Sequence, residues 1–279
     1  MVQDNKAKVT YVRLLREDLV VIRMVPEDGI IPDYQAGQFL TLGLHVPNEN
    51  KVVRRAYSIA SHPENKKYFE FVIRWVRKPF PGRLTTQIFL LKEGDEILWT
   101  RPVGKALTIN NELSDGSVDK RRIICIGGGT GIAPFASFAQ HLHDVGDKRE
   151  IVLLHGASYV DELSYKEKFV DLEMESFDRG KEQWNFRYEA AISRPQDWLN
   201  RSWSGQVGRV ETFLRPRDGV SALEELVNDK ITPENTFFYI CGWQGTIDGV
   251  MDYLTPRGFV TERDKREDGS FEVKYESYG

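Results

Sequence analysis

The run Gly127-Gly128-Gly129-Thr130-Gly131-Ile132-Ala133-Pro134-Phe135 constrains this chain more than any other segment. An apolar stretch, Arg122 to Ile126, leads into it and a helical pattern through Leu142 follows. Glycine loses more conformational freedom on folding than any other residue, so such a cluster is costly to order without a purpose. One purpose is close approach of backbone N–H groups to an anion, with the positive end of the next helix behind them. The spacing is not that of a Walker loop, because no Lys-Ser or Lys-Thr follows where one is needed. Nor is it the usual dinucleotide fingerprint, since Ile132 stands at the last glycine position. Taken alone, the segment also reads as a tight strand–helix turn without a ligand.

On either side of this run the chain has two different textures. Up to about residue 112 it shows short runs rich in β-branched and aromatic residues: Val9 to Val12, Leu19 to Met24, Phe39 to Leu44, Arg55 to Ala60, Phe69 to Val76 and Glu96 to Thr100. Turn signals separate them, among them Pro26-Glu27-Asp28-Gly29, Pro63-Glu64-Asn65 and Glu93-Gly94-Asp95. That spacing predicts an antiparallel β-barrel, with one helix from near Gly82 through Ile88 to Leu91. Asn110 to Arg122 is polar, contains Ser114-Asp115-Gly116-Ser117, and reads as a linker. Beyond it, strands at Arg122 to Ile126, Ile151 to His155, Phe186 to Ile192 and Thr236 to Cys241 alternate with helices near Tyr165 to Phe177 and Val210 to Leu214. Alternation of this kind predicts a doubly wound parallel α/β domain, with ligands at the carboxyl ends of its strands. The domains are therefore expected at 1–112 and 120–279.

Composition removes several classes of function. Over 279 residues, 41% hydrophobic and 29% charged, the chain is that of a soluble globular protein with room for two cores. A net charge of −4 gives no reason to expect nucleic acid as a partner. No apolar run is long enough for membrane insertion, and the N-terminus lacks the apolar stretch of a secretory signal, so the expected address is cytoplasmic. The two cysteines, Cys125 and Cys241, cannot hold an iron–sulfur cluster that needs four thiolates, and no other metal site is expected.

Two further segments carry chemistry. In Arg55-Ala56-Tyr57-Ser58, strand alternation puts Arg55 and Tyr57 on one face and Ser58 on the other. Arginine can clamp a phosphate, tyrosine can stack on a flat ring, and serine can donate to a ring nitrogen. An ordinary half-exposed strand has the same appearance. At the end of the strand Phe237-Phe238-Tyr239-Ile240, Cys241-Gly242 places a small, soft side chain at a sheet edge, where it either touches a planar ligand or is a buried structural cysteine.

In this order and at these separations, Arg-x-Tyr-Ser, Gly-Gly-Gly-Thr-Gly-Ile-Ala-Pro and Cys-Gly resemble the ferredoxin–NADP⁺ reductase family over nearly the whole chain, and in particular its bacterial-type ferredoxin (flavodoxin)–NADP⁺ reductases. The resemblance implies an FAD-binding barrel followed by an NADP(H)-binding domain. Arg55 would then hold the FAD pyrophosphate, Tyr57 stack on the isoalloxazine and Ser58 lie near flavin N5. Gly82, Arg83, Leu84, Thr85 and Thr86 look like the family's second phosphate segment, and Phe71, Val72 and Ile73 would line the flavin through their backbone. Arg101-Pro102-Val103-Gly104 is similar to the family's Gly-Pro-x-Gly turn, with Arg101 in place of the first glycine. Gly129, Thr130 and Gly131 would carry the pyrophosphate of the nicotinamide dinucleotide. Cys241, with Gly242, would sit beside the nicotinamide and act by shape and polarity; Cys241-Gly242-Trp243-Gln244-Gly245 is similar to the plastid-type form of the motif.

Ser193-Arg194 and Gly208-Arg209 resemble the 2′-phosphate residues of NADP-using members, and Ser158 stands near a serine used by plastid-type members, so NADPH is favoured over NADH. Arg194 and Arg209 also read as ordinary surface arginines. Tyr275 or Tyr278 would cover the second flavin face, although the residues themselves read more simply as a frayed tail. The implied reaction is reversible hydride transfer between NADP(H) and FAD, catalysed with Tyr57, Ser58 and Cys241 at the reacting rings, followed by single-electron exchange with a ferredoxin or flavodoxin. Lys66, Lys67, Arg77, Lys78 and Arg83 offer such a partner a basic face, or are simply solvated charges. Two alternatives remain open: the reductase component of an oxygenase or a free-flavin reductase, and a non-catalytic FAD-binding redox sensor or assembly subunit.

Overall fold

A computed structural model describes residues 5–47, 51–77 and 79–278. It divides into two compact units, one holding residues up to Thr108 with Ala136–His141, the other Ile109–Phe135 with Leu142 onward.

The first unit is built on six antiparallel strands: β1 (Asn5–Arg16), β2 (Leu19–Pro26), β3 (Phe39–His45), β4 (Val52–Ser58), β5 (Phe69–Arg74) and β6 (Glu96–Trp99), with helix α1 (Arg83–Ile88) between the last two. The strand order is β4-β3-β6-β1-β2-β5. Alternating residues of these strands, among them Val20, Ile22, Leu40, Leu42, Phe69, Phe71 and Ile73, close one core with Leu84 and Ile88 from α1. The outermost strands, β4 and β5, are those that carry the candidate flavin residues, so each keeps an edge outside the ladder order.

The second unit is a parallel sheet: β7 (Arg122–Gly128), β8 (Ile151–Ala157), β9 (Phe186–Ile192), β10 (Gln206–Val207), β13 (Thr236–Gly242) and β14 (Val273–Ser277). A two-stranded ribbon, β11 (Pro216–Arg217) with β12 (Val220–Ser221), lies outside it. Helices α2 (Ala133–Asp144), α3 (Lys166–Arg179), α4 (Ala222–Val227) and α5 (Gln244–Leu254) fill the crossovers. The order β10-β9-β8-β7-β13-β14 runs outward from β7 in one direction and then restarts beside it with β13. Their carboxyl ends form the crevice where such sheets bind ligands. Val210–Phe213, expected as part of an α-helix, is a single 3₁₀ turn.

Three other expectations meet the structure as follows. Asn110 to Arg122 is exposed from Asn111 to Val118, as a linker is, but anchored at its ends: the Asn110 N–H donates to Tyr239 Oη at 2.7 Å, and Asp119, 3% exposed, pairs with Arg121 at 2.7 Å. The C-terminus is not frayed, because β14 pairs in parallel with β13 from Phe238↔Val273 to Gly242↔Ser277. Lys78 lies outside the described residues. Among those described, no helix is long and apolar enough to cross a membrane.

Candidate functional site

In the first unit, β4 pairs with β3 so that Arg55 lies opposite Leu42, Tyr57 opposite Leu40 and Ser58 opposite Phe39. Directly opposed residues share a face, so Arg55 and Tyr57 project together, as alternation predicts. Tyr57 packs its ring against the core, and burial pushes its phenol well above the ordinary value. It is therefore a neutral aromatic surface. Arg55 is exposed, with Nη1 donating to the Arg54 carbonyl at 2.7 Å.

Strand β5 contributes through its backbone at one residue rather than three. The Glu70 carbonyl accepts from Ala60 N–H at 2.8 Å and its N–H donates to Ser61 Oγ at 3.2 Å, so Glu70 turns its peptide groups away from β2. Antiparallel strands alternate this direction, so Val72 presents its N–H and C=O to the same open edge. Phe71 and Ile73 face theirs to Ile22 and Val20 and bury their side chains in the core. Of the three residues expected to line the flavin, Val72 is thus the one whose backbone groups face the open edge.

At α1, Gly82 is the residue before the helix, and a Cβ there would meet Thr85 Oγ1 at 2.4 Å. The hydroxyls of Thr85 and Thr86 both donate to the Gly82 carbonyl, at 3.1 and 2.8 Å. Trp75 Nε1 donates to Thr86 Oγ1 at 3.1 Å, a contact invisible in the sequence because Trp75 reads there as another strand residue. Leu84 buries its side chain in the core, 2% exposed, leaving only its backbone in the first helical turn for a ligand; Arg83 is exposed. An exposed arginine, a neutral aromatic face, an open strand edge and a glycine cradle fit the phosphates, ring and ring-edge polar atoms of FAD.

The basic face is partly spent on neighbours. Lys66 pairs with Asp33 at 2.9 Å and Arg77 with Glu17 at 3.3 Å, while Lys67 and Arg83 are exposed.

In the second unit, Gly127 of β7 lies opposite Cys241 of β13, so the glycine run and the Cys-Gly pair arise from one pair of strand ends. Gly129 has φ +57°, which a side chain rarely tolerates. A Cβ on Gly131 would stand 2.2 Å from the Cys241 carbonyl oxygen, so only glycine lets the loop seat against β13. The Gly131 N–H donates to Tyr278 Oη at 2.7 Å, and Tyr278 Oη donates to the Gly128 carbonyl. Tyr278 thus occupies a donor of the loop that an anion would use. Its ring meets Trp243 edge-on at 5.9 Å.

Cys241 is 1% exposed, and burial holds its thiol well above the ordinary value, with the Glu276 carboxylate adding in the same direction. Glu276 lies directly opposite Cys241 in β14, and its own acid is raised by burial. The sequence hides Glu276 because its segment looks like a polar tail. Tyr275 packs on the other face with the hydrophobic core of this unit, under the Arg263 guanidinium. Cys125 is buried and free, as core. His155, at the end of β8, is fully buried, and burial drops its imidazole to about 3.

The residues read for a 2′-phosphate, Ser158, Arg194 and Arg209, lie just beyond β8, β9 and β10. Ser158 donates its N–H to Glu162 Oε2 at 3.0 Å. Arg194 is exposed, donates from Nη1 to Tyr159 Oη at 2.8 Å, and lies 5.3 Å from the centre of that ring. Gly208 N–H is bonded to the Ile192 carbonyl at 3.0 Å, and the next residue, Arg209, is exposed. Tyr159, unremarked in the sequence, is the contact that holds the Arg194 head group.

Comparison with known proteins matches the same two halves. Residues 13–107 match the oxidoreductase FAD-binding domain and residues 125–252 the oxidoreductase NAD-binding domain. The chain is 30% identical over 224 residues to a component of the Na(+)-translocating NADH-quinone reductase of Pseudomonas aeruginosa, a match over 78% of this chain and 49% of that protein. It is 28% identical over 261 residues to the propane 2-monooxygenase reductase component of Mycolicibacterium goodii, over 91% of this chain and 64% of that one. The chain thus spans about half the length of the first of these relatives. Its fold is similar to that of a ferredoxin NADP+ reductase from Neisseria gonorrhoeae solved with FAD and NADP, with a TM-score of 0.78, 20% identity and 99% of each chain covered. With an oxidoreductase FAD-binding domain followed by an oxidoreductase NAD-binding domain, the chain belongs to the FAD- and NAD-binding oxidoreductases, on a fold similar to that of ferredoxin NADP+ reductases.

Proposed function

We propose that the protein transfers hydride from NADPH to FAD and then passes single electrons to a ferredoxin or flavodoxin. The observation that carries this reading is the pairing of Gly127 with Cys241 at the switch point of the sheet, which joins an anion-binding loop to a small neutral side chain. FAD, when bound, accepts two electrons together and releases them singly. The chain's own task is orientation. Arg55 and the Gly82–Thr86 segment hold phosphates, Tyr57 supplies a ring face, Ser58 supplies a hydroxyl at the ring edge, and Val72 offers backbone groups. Gly129, Thr130 and Gly131 receive the pyrophosphate of NADPH, which competes with Tyr278 for the Gly131 N–H. Cys241, kept as a thiol by burial, acts as an uncharged wall and not as a nucleophile. Ser158, Arg194 and Arg209 take the 2′-phosphate.

Steady-state rates with NADPH and NADH, using ferricyanide as a small acceptor, test the cofactor choice. Arg194→Ala and Arg209→Ala each lower kcat/KM for NADPH about tenfold or more, the scale of a lost charge-assisted hydrogen bond, and leave NADH within about twofold. Equal losses with both nucleotides contradict the assignment. The match to an oxygenase reductase component over 91% of this chain supports a second reading, in which the acceptor is an oxygenase; turnover with each purified protein acceptor separates the two.

A further inference from the structure

The two loops read as the 2′-phosphate site are joined by one buried side chain. Asn200 closes the short turn Trp198–Asn200, which Asp197 caps by accepting the Leu199 N–H at 3.1 Å. It is 2% exposed. Its Nδ2 donates to the Ser158 carbonyl at 2.9 Å and to the Arg194 carbonyl at 2.8 Å. Its Oδ1 accepts the Val160 N–H at 3.0 Å. One carboxamide therefore fixes the backbone of both Ser158 and Arg194, residues that extend from neighbouring strands and are distant in sequence. A bond from the Ser193 N–H to the Ala157 carbonyl, at 2.9 Å, ties the same two loops at their base.

We infer that Asn200 is a positioning residue for 2′-phosphate selectivity, setting the separation of Ser158 and Arg194 without touching the nucleotide. This rests on the reading of Ser158 and Arg194 given above. The physical case is one of tolerance. A guanidinium reads a phosphate through short, directional bonds, and a misplacement of tenths of an ångström forfeits much of their strength. Tyr159 steers Arg194 at its head group, while Asn200 holds its backbone. Ser158 is held from the other side by Glu162, whose carboxylate occupies its N–H and leaves the hydroxyl as the group for a phosphate. Removing the Asn200 carboxamide leaves the Ser158 carbonyl and the Val160 N–H without this partner, leaves the Arg194 carbonyl with only the Asp197 N–H at 3.1 Å, and frees the loops to separate.

The test titrates the FAD-loaded protein with 2′,5′-ADP and with 5′-AMP, which differ only in the 2′-phosphate. Asn200→Ala weakens 2′,5′-ADP about tenfold and leaves 5′-AMP within about twofold, so the ratio of the two affinities falls. Asn200→Ser, which keeps a hydroxyl able to reach one carbonyl, gives an intermediate ratio and guards against misfolding of the alanine variant. A merely structural asparagine would lower the melting temperature and both affinities together without moving the ratio, and that result overturns the proposal. Arg194→Ala in parallel separates the two ideas. If Arg194→Ala reduces the ratio and neither Asn200 variant does, the phosphate site stands and the positioning role fails. If wild type already binds both nucleotides equally and Arg194→Ala changes nothing, the phosphate reading itself fails and the role of Asn200 with it.

Discussion

The most consequential single residue outside the sequence motifs is Glu276. It sits opposite Cys241 in a parallel strand pair, and both groups are pushed by burial toward their neutral forms. A carboxyl group whose acid constant is raised in the folded protein contributes stability at pH below its ordinary value, near 4.5, and that contribution is lost as pH rises through the raised value. Glu276→Gln removes this dependence. Its melting temperature relative to wild type is therefore expected to rise between pH 5 and pH 8, in differential scanning fluorimetry across that range. A constant offset at all pH values would show that Glu276 is not desolvated. This residue was not legible in the sequence, because its partner strand lies far away along the chain and nothing local marks Val273 to Ser277 as buried. Arg55, Tyr57, Ser58 and Cys241 could be singled out in the sequence only through the combination of three motifs in order, since each motif alone looks like an ordinary strand or a buried cysteine.

At the scale of elements, local texture set type better than fate. The barrel strands and the β–α alternation followed from hydrophobic period and turn residues alone. Long-range pairing did not: β14 carries a lysine and a glutamate within its five residues and reads as a tail until β13 is beside it. Within the polar stretch Asn110 to Arg122, composition likewise cannot separate the exposed residues from Asp119, buried and paired with Arg121. Phe71 and Ile73 show the same limit within a strand, because which backbone edge is open depends on the neighbour. The glycine loop offers a sharp test at this scale. Gly131→Ala drives a Cβ to 2.2 Å from a backbone oxygen of β13, whereas at Gly129 the nearest atom is 3.8 Å away and only the positive φ is strained. Thermal or urea unfolding should show Gly131→Ala losing about 3 kcal/mol or more, and Gly129→Ala about 1–2 kcal/mol. Equal losses would mean the loop does not seat against β13.

For the whole molecule, the order of two units defines the chemistry more than any residue does. An FAD-binding domain, matched over residues 13–107, precedes an NAD-binding domain, matched over residues 125–252. Two relatives match this chain over only 49% and 64% of their own length, so the matched region recurs as part of longer proteins. The decisive measurement is anaerobic titration of the purified protein, loaded with FAD, by NADPH and separately by NADH, followed in the visible flavin band. Rapid, stoichiometric bleaching by NADPH and much slower bleaching by NADH is the expected result. A protein that takes up no FAD, or whose bound FAD neither nucleotide reduces, would contradict the central claim.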